Sequence, residues 1–335
     1  MIRRLISFSL ALLLMTAAAT AQTKLNGAGA TFPYPVYSKW FAEYNREHPD
    51  VQINYQSIGS GGGIRQVTAG TVDFGASDGP MSDDQLSQSK AKIYHIPTVL
   101  GAVVPVYNVP DVKQEVKFSG PVLANIFLGR VTNWNDASIA KENPGVKFPN
   151  QEMVIVHRSD GSGTTYCFTD YLAKISPEWS TTVGKSTSVK WPKGLGAKGN
   201  EGVAGMVRQM EGAIGYVELI YAEQNHIDYG SMKNASGNYI KATLESTAAA
   251  AATAKIPADY RVSITNAPGK QAYPISTFTW LLVPARNADA NKQKILVDFL
   301  NWMLEKGQGM ATQLTYAPLP KEVAVRVKAT VSQLK

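Results

Sequence analysis

Apolar residues along this chain follow two rhythms. Short runs rich in β-branched and aromatic side chains, at residues 51–55, 99–107, 153–157, 214–217 and 277–283, predict strands. Between them Tyr37, Trp40, Phe41 and Tyr44 recur at helical spacing, and so do Ile295, Phe299, Trp302 and Met303 ahead of Gly307. Each stripe reads as the packing face of a helix, not as a cofactor box. The alanine-rich residues 248–254 are strongly helix-prone and predict a surface helix or its flank. Strands interleaved with helices throughout argue for an α/β fold. No internal repeat is visible, and residues 266–269 read as a loop, so the pattern alone places a domain boundary poorly.

The first residues break both rhythms. Arg3 and Arg4 precede an apolar run over residues 5–15, and small residues then end in Ala19-Thr20-Ala21, an export-signal pattern with cleavage near Ala21. The run is shorter than the ~20 residues that span hydrocarbon. The twin arginines fit a twin-arginine signal only loosely, and ordinary export is favoured. No cysteine stands at the cleavage site for lipid attachment, so the reading is an exported protein without a lipid anchor, its mature chain starting near Gln22. Cys167 is the single cysteine, which rules out an intramolecular disulfide even in an oxidising compartment. Its stability must come from apolar cores. The 33 basic and 26 acidic side chains give +7, and +5 once Arg3 and Arg4 leave. Lysine and arginine are scattered, with no basic stripe interleaved with aromatics, which speaks against nucleic acid. The mild positive charge suits a small anion.

Candidate chemistry lies in Gly/Ser/Thr-rich turns between strand-like and helix-like runs. The first is Gly27-Ala28-Gly29-Ala30-Thr31-Phe32-Pro33, where Pro33 and Pro35 suit a first helical turn. The second, Gly59-Ser60-Gly61-Gly62-Gly63, leads into Ile64-Arg65-Gln66-Val67. The third, Arg158-Ser159-Asp160-Gly161-Ser162-Gly163-Thr164-Thr165, leads into residues 166–172. Helix starts expose unpaired N–H groups and carry partial positive charge, so each turn is a potential anion cradle. Any one of them is also an ordinary cap. Three together, with an arginine in one, point to a tetrahedral oxyanion.

Competing motifs fail on context. Gly194-Leu195-Gly196-Ala197-Lys198-Gly199 matches a dinucleotide fingerprint but follows Trp191-Pro192-Lys193 instead of a strand, and reads as a loop. In the first turn Phe32 replaces the third glycine such a fingerprint needs. Gly184-Lys185-Ser186 resembles a P-loop ending, but Trp179 stands where its first glycine belongs. His48, His95, His157 and His226 lack metal-ligand spacing and read as structural or surface residues. A serine hydrolase elbow fails because Ile58 precedes Ser60 where glycine is required.

These blocks resemble the periplasmic phosphate-binding component of ABC-type high-affinity phosphate uptake. The resemblance runs through the three turns, Val72-Asp73-Phe74-Gly75-Ala76-Ser77-Asp78, Gly212-Ala213-Ile214-Gly215-Tyr216-Val217-Glu218 and Tyr316-Ala317-Pro318-Leu319-Pro320, in the family's order over nearly the whole mature chain. It implies a type II periplasmic-binding-protein fold, two α/β domains joined by crossing hinge strands, with residues 22–100 and 274–335 in domain I and 101–273 in domain II. It implies phosphate contacts at Thr31, Phe32, Ser60, Asp78, Arg158, Ser162, Gly163 and Thr164. Phe32 and Gly163 would contribute backbone N–H groups, and the threonines and serines their hydroxyls. It further implies delivery to an inner-membrane ABC permease with its ATPase, a monomer by default, and no cofactor, metal or enzymatic turnover. Departures are Gly61 in place of an expected serine, and Gly79 and Met81 beside Asp78.

Arg158 offers a planar fork suited to two phosphate oxygens, with Asp160 expected to orient it. Asp78 is informative because a carboxylate aimed at an anion requires a ligand that still carries a proton. Phosphate does at neutral pH, whereas sulfate would meet only repulsion, roughly 1 to 4 kcal/mol for unit charges ~4 Å apart. The alternatives left open are a receptor for sulfate, molybdate or tungstate, which gives Asp78 no purpose, and a secreted phosphatase, which would need a metal cluster or an activated nucleophile.

Overall fold

A computed structural model describes residues 22–334. The export signal and cleavage site predicted within residues 1–21 lie outside the described residues.

The strands are β1 (Thr23–Gly29), β2 (Val51–Ser57), β3 (Phe74–Ser77), β4 (Ile93–Tyr107), β5 (Lys117–Phe118), β6 (Val154–Arg158), β7 (Leu195–Ala197), β8 (Ala213–Glu218), β9 (Asp228–Tyr229), β10 (Ser231–Lys233), β11 (Tyr239–Ile240) and β12 (Ser276–Pro284). All five predicted strands are among them. They line up as β2-β1-β3-β12-β4-β8-β6-β7, with β9 also on β4 and a small separate sheet β11-β10-β5. β1 is parallel to β2 and β3, and β6 is parallel to β7 and β8. β4, β8 and β12 are buried along nearly their whole length and read as nearly continuous apolar runs, which is why the sequence pattern found them.

β4 joins two lobes. Its first part, Ile93 to Ala102, is antiparallel to β12, and Val103 to Tyr107 is antiparallel to β8. The chain returns through residues 256–276. There Trp280 Nε1 donates to the Tyr260 carbonyl at 3.1 Å, while Thr265 and Ser263 donate to Asp170 on the other lobe. The result is the expected two-lobed α/β architecture with crossing segments between the lobes.

The two predicted aromatic stripes pack on each other. Helix Tyr34–Glu47 presents Phe41 and Tyr44, and helix Ala290–Trp302 presents Phe299 and Trp302. Phe299 lies 5.3 Å from Phe41 and 5.3 Å from Tyr44, and Trp302 lies 5.6 Å from Tyr44, ring centre to ring centre. Trp40 Nε1 donates to the Gly307 carbonyl at 2.8 Å, just past the helix end. The alanine-rich segment is a helix, Leu244–Ala252, with a capping box between Thr243 and Ser246. It is more than a surface element: Ala250 and Ala251 are buried where the helix packs against β4 and β12. Alanine is small enough to let backbone approach sheet there.

Candidate functional site

The site forms where strands end and helices begin. β1 runs into Thr31 and Phe32 and then helix Tyr34–Glu47, and β2 runs into helix Ser60–Ala69. β3 delivers Asp78, and β6 ends on Arg158 ahead of helix Gly163–Ile175. Ser162 caps that last helix, its Oγ accepting from the Thr165 N–H at 3.0 Å. At the start of each helix the first N–H groups lack intrahelical acceptors; some are taken up locally, as at Thr165 and Gly61. Every residue that the resemblance singled out is buried here: Thr31, Phe32, Ser60, Asp78, Arg158, Ser162, Gly163 and Thr164.

The lobes meet closely across this cleft. The Gly61 N–H donates to the Gly161 carbonyl at 2.9 Å, and a Cβ on Gly61 would stand 3.2 Å from Gly161 Cα. The Gly61 departure from the family pattern therefore falls at a backbone-to-backbone approach. A Cβ on Gly163 would collide with Asp78 Oδ2 and Ser60 Oγ, which fixes how near the second lobe's helix start lies to the first lobe's carboxylate.

Asp78 is 1 % exposed. Its Oδ1 accepts from Thr279 Oγ1 at 2.8 Å and its Oδ2 from Ser60 Oγ at 3.5 Å, while its own N–H donates to Ser60 Oγ at 3.2 Å. Burial pushes this carboxyl up to about 7, against the opposing pull of Thr279, the Arg158 charge and Ser60. Arg158 is gripped from one side by Asp160, with Nε to Oδ1 at 2.8 Å and Nη2 to Oδ2 at 2.6 Å. Its remaining nitrogen, Nη1, lies 3.5 Å from Thr164 Oγ1. Burial works to raise Asp160, but the guanidinium and the Gly199 N–H hold it below the usual carboxylate range. A fixed cation, several helix starts and one proton-hungry carboxyl thus share one enclosed spot. That combination suits a tetrahedral oxyanion bearing a proton.

Sequence reasoning missed several participants. The run at residues 194–199 is not the loop expected of it: β7 and helix Gly199–Gln209 follow one another there. The preceding Trp191-Pro192-Lys193 hid a strand of only three residues. Asn200, in that helix's first turn, is buried with Nδ2 2.8 Å from Thr31 Oγ1 and 3.0 Å from Thr164 Oγ1. Tyr221 and Tyr316 donate to the Thr31 and Phe32 carbonyls, each at 2.6 Å, holding the first turn from behind. Glu218 is buried and caps its own helix through the Ile220 N–H at 2.9 Å, and burial pushes its carboxyl well above the ordinary value. Tyr316 and Glu218 lay within quoted blocks, but nothing in their spacing signals what they touch. Two of the histidines sit in structural settings, where His95 Nε2 accepts from the Met81 N–H at 3.0 Å and His157 stacks on Trp191 at 4.8 Å, and His48 and His226 are exposed. Among the described residues no three His, Cys, Asp or Glu side chains gather as a metal site, and no helix is long and apolar enough to cross a membrane.

Comparison with known proteins places this geometry in context. The PBP superfamily domain matches residues 15–306. A phosphate-binding protein PstS from Xylella fastidiosa strain Temecula1 is 47% identical over 313 residues, which is 92% of this chain and 85% of the relative. The protein of the same name from Haemophilus influenzae is 45% identical over 308 residues, 91% of each chain. Among solved structures, the high affinity periplasmic phosphate-binding protein PfluDING, bound with phosphate, is similar at a TM-score of 0.75 and 22% identity, over 92% of this chain and 93% of that one. A phosphate binding protein from Stenotrophomonas maltophilia is similar at 0.70 and 21%, over 92% and 93%. At such identities the likeness carries the fold, a type II periplasmic-binding-protein arrangement.

Proposed function

From the premise that this chain belongs to the PBP superfamily and, within it, to the phosphate-binding PstS proteins, we propose that it is an exported receptor for inorganic phosphate. It works in the periplasm and hands its ligand to an ABC importer, an inner-membrane permease with its ATPase. It binds without chemical turnover and acts as a monomer. Domain I comprises residues 22–100 and 274–335, domain II residues 101–273, and the ligand sits between them.

In this reading the Phe32 and Gly163 N–H groups and the hydroxyls of Thr31, Ser60, Ser162 and Thr164 donate to phosphate oxygens. Arg158 donates through the edge that Asp160 leaves free. Asp78 Oδ2 takes the O–H that phosphate retains at neutral pH, a short charge-assisted bond. Sulfate brings no such proton and meets repulsion of roughly 1 to 4 kcal/mol at ~4 Å. Hinge closure brings Asp78 and the first-lobe turns against Arg158 and its loop.

The observation that carries this reading is Asp78 itself, a buried carboxyl whose Oδ2 faces the start of the second lobe's helix in a cleft otherwise lined with donors. Equilibrium dialysis tests it: the mature protein, stripped of ligand by reversible unfolding, should retain one radiolabelled orthophosphate per chain against excess sulfate. Retention that sulfate abolishes, or no retention, contradicts the assignment. For delivery, phosphate uptake should return when the chain is expressed in cells lacking their own receptor, and its absence there contradicts that part alone.

A further inference from the structure

Two threonine hydroxyls face each other across the cleft, and one side chain addresses both. The Asn200 amide places Nδ2 at 2.8 Å from Thr31 Oγ1 in the first lobe and 3.0 Å from Thr164 Oγ1 in the second. That nitrogen carries two hydrogens, one for each hydroxyl. The amide cannot turn over freely, because its Oδ1 accepts from the Glu218 N–H at 3.0 Å. A flipped amide could still accept from the two hydroxyls, but it would set its own N–H against the Glu218 N–H, and that mismatch fixes the orientation.

A hydroxyl has two acceptor positions and one hydrogen to give. At Thr31 both acceptor positions are filled, by Asn200 Nδ2 and by the Asn200 N–H at 3.2 Å. At Thr164 they are filled by Asn200 Nδ2 and, at longer range, by Arg158 Nη1 at 3.5 Å. Neither hydroxyl donates to any protein group among the described residues. Each has only its hydrogen left to offer. Both are buried, so that hydrogen has no bulk water to fall back on.

We infer that Asn200 is a positioning and specificity residue: by donating to both threonines it turns them into obligate donors toward the bound anion. The inference rests on the phosphate reading above and deepens it. An oxygen that carries a proton finds no acceptor at Thr31 or Thr164, so the protonated phosphate oxygen is turned toward Asp78. Selection for a singly protonated ligand is then shared between one acceptor and a set of hydroxyls whose direction is fixed. Because Asn200 bridges the lobes, the donors reach this orientation only when the cleft is shut.

The test is a mutant cycle read by calorimetric titration of the mature, ligand-stripped protein with orthophosphate. Asn200→Ala should weaken binding by about 10- to 100-fold, the range expected when hydrogen bonds to a charged group are misdirected. In a Thr31→Val, Thr164→Val background the same change should cost less than about threefold, because no hydroxyl remains to be oriented. Asn200→Ser keeps one donor and suits a helix start, so its affinity should lie between wild type and Asn200→Ala. The cycle is run with the serine variant if the alanine variant does not fold. A full loss that persists in the valine background would overturn the inference by making the role structural, and so would an Asn200→Ala protein that binds like wild type. A wild-type protein that ignores orthophosphate would sink the phosphate reading and this inference together.

Discussion

Thr279 Oγ1 donates a 2.8 Å hydrogen bond to Asp78 Oδ1, joining two residues 201 positions apart, one on β12 and the other directly after its neighbouring strand β3. The bond occupies one carboxyl oxygen and leaves Oδ2, beside Ser60 and Gly163, as the face turned to the second lobe. Thr279→Val keeps the shape and removes this donor. It should raise the Asp78 pKa beyond its value of about 7 and weaken phosphate binding by about tenfold or more, the usual worth of a hydrogen bond to a charged group. Calorimetric titration at neutral pH checks the affinity.

The buried Asp78 also ties stability to pH. Its pKa stands above the unfolded value, so the native state binds the extra proton between about pH 4 and pH 7. The ligand-free protein keeps that stability below pH 4 and loses it as pH rises through 7, by at most about 4 kcal/mol. His95 acts in the opposite sense over part of the window, since burial pushes it down to about 4. The difference between wild type and Asp78→Asn isolates the carboxyl. In thermal melts without ligand, the wild type should lose ground to the variant from pH 4 to pH 7 and hold a constant gap above it.

Gly61 lies where the two lobes touch, its N–H bonded to the Gly161 carbonyl. Gly61→Ser would place a Cβ 3.2 Å from Gly161 Cα, tight against backbone that cannot swing aside. The seam should open by a few tenths of an ångström and phosphate affinity fall about threefold to tenfold, near the lower end of overpacking costs. Titration checks it. An unchanged affinity would mean that the lobes yield without penalty.

The aromatic seam between helices Tyr34–Glu47 and Ala290–Trp302 is far from this chemistry. Phe299→Ala should cost about 3 to 5 kcal/mol of stability by urea unfolding, because the ring is fully buried among Phe41, Tyr44 and Trp302. Phosphate affinity of the folded protein should change by less than about twofold.

The five predicted strands and the two aromatic stripes were legible because each buries several apolar side chains at a regular spacing, and burial writes a period into the sequence. The glycine- and serine-rich turns were legible for a related reason: helix starts that meet an anion need small residues and free N–H groups. Other features stayed hidden. β7 is three residues long, with a glycine before it and another at its centre, too short to show alternation, so residues 194–199 looked like a loop. Asn200 and Thr279 reach the site only through tertiary contact, and an asparagine in a first helical turn or a threonine in a strand is commonplace. What distinguishes them is the pair of hydroxyls and the carboxyl they meet, and those come from segments up to 201 positions away.

Whether Asp78 reads a proton on the ligand is decided by comparing orthophosphate with sulfate on wild type and Asp78→Asn by calorimetric titration at neutral pH. Tight phosphate binding and no sulfate response are expected of the wild type, with discrimination reduced at least about tenfold in the variant. Equal binding of both anions by the wild type, or an Asp78→Asn protein that still rejects sulfate as strongly, would contradict proton reading by Asp78.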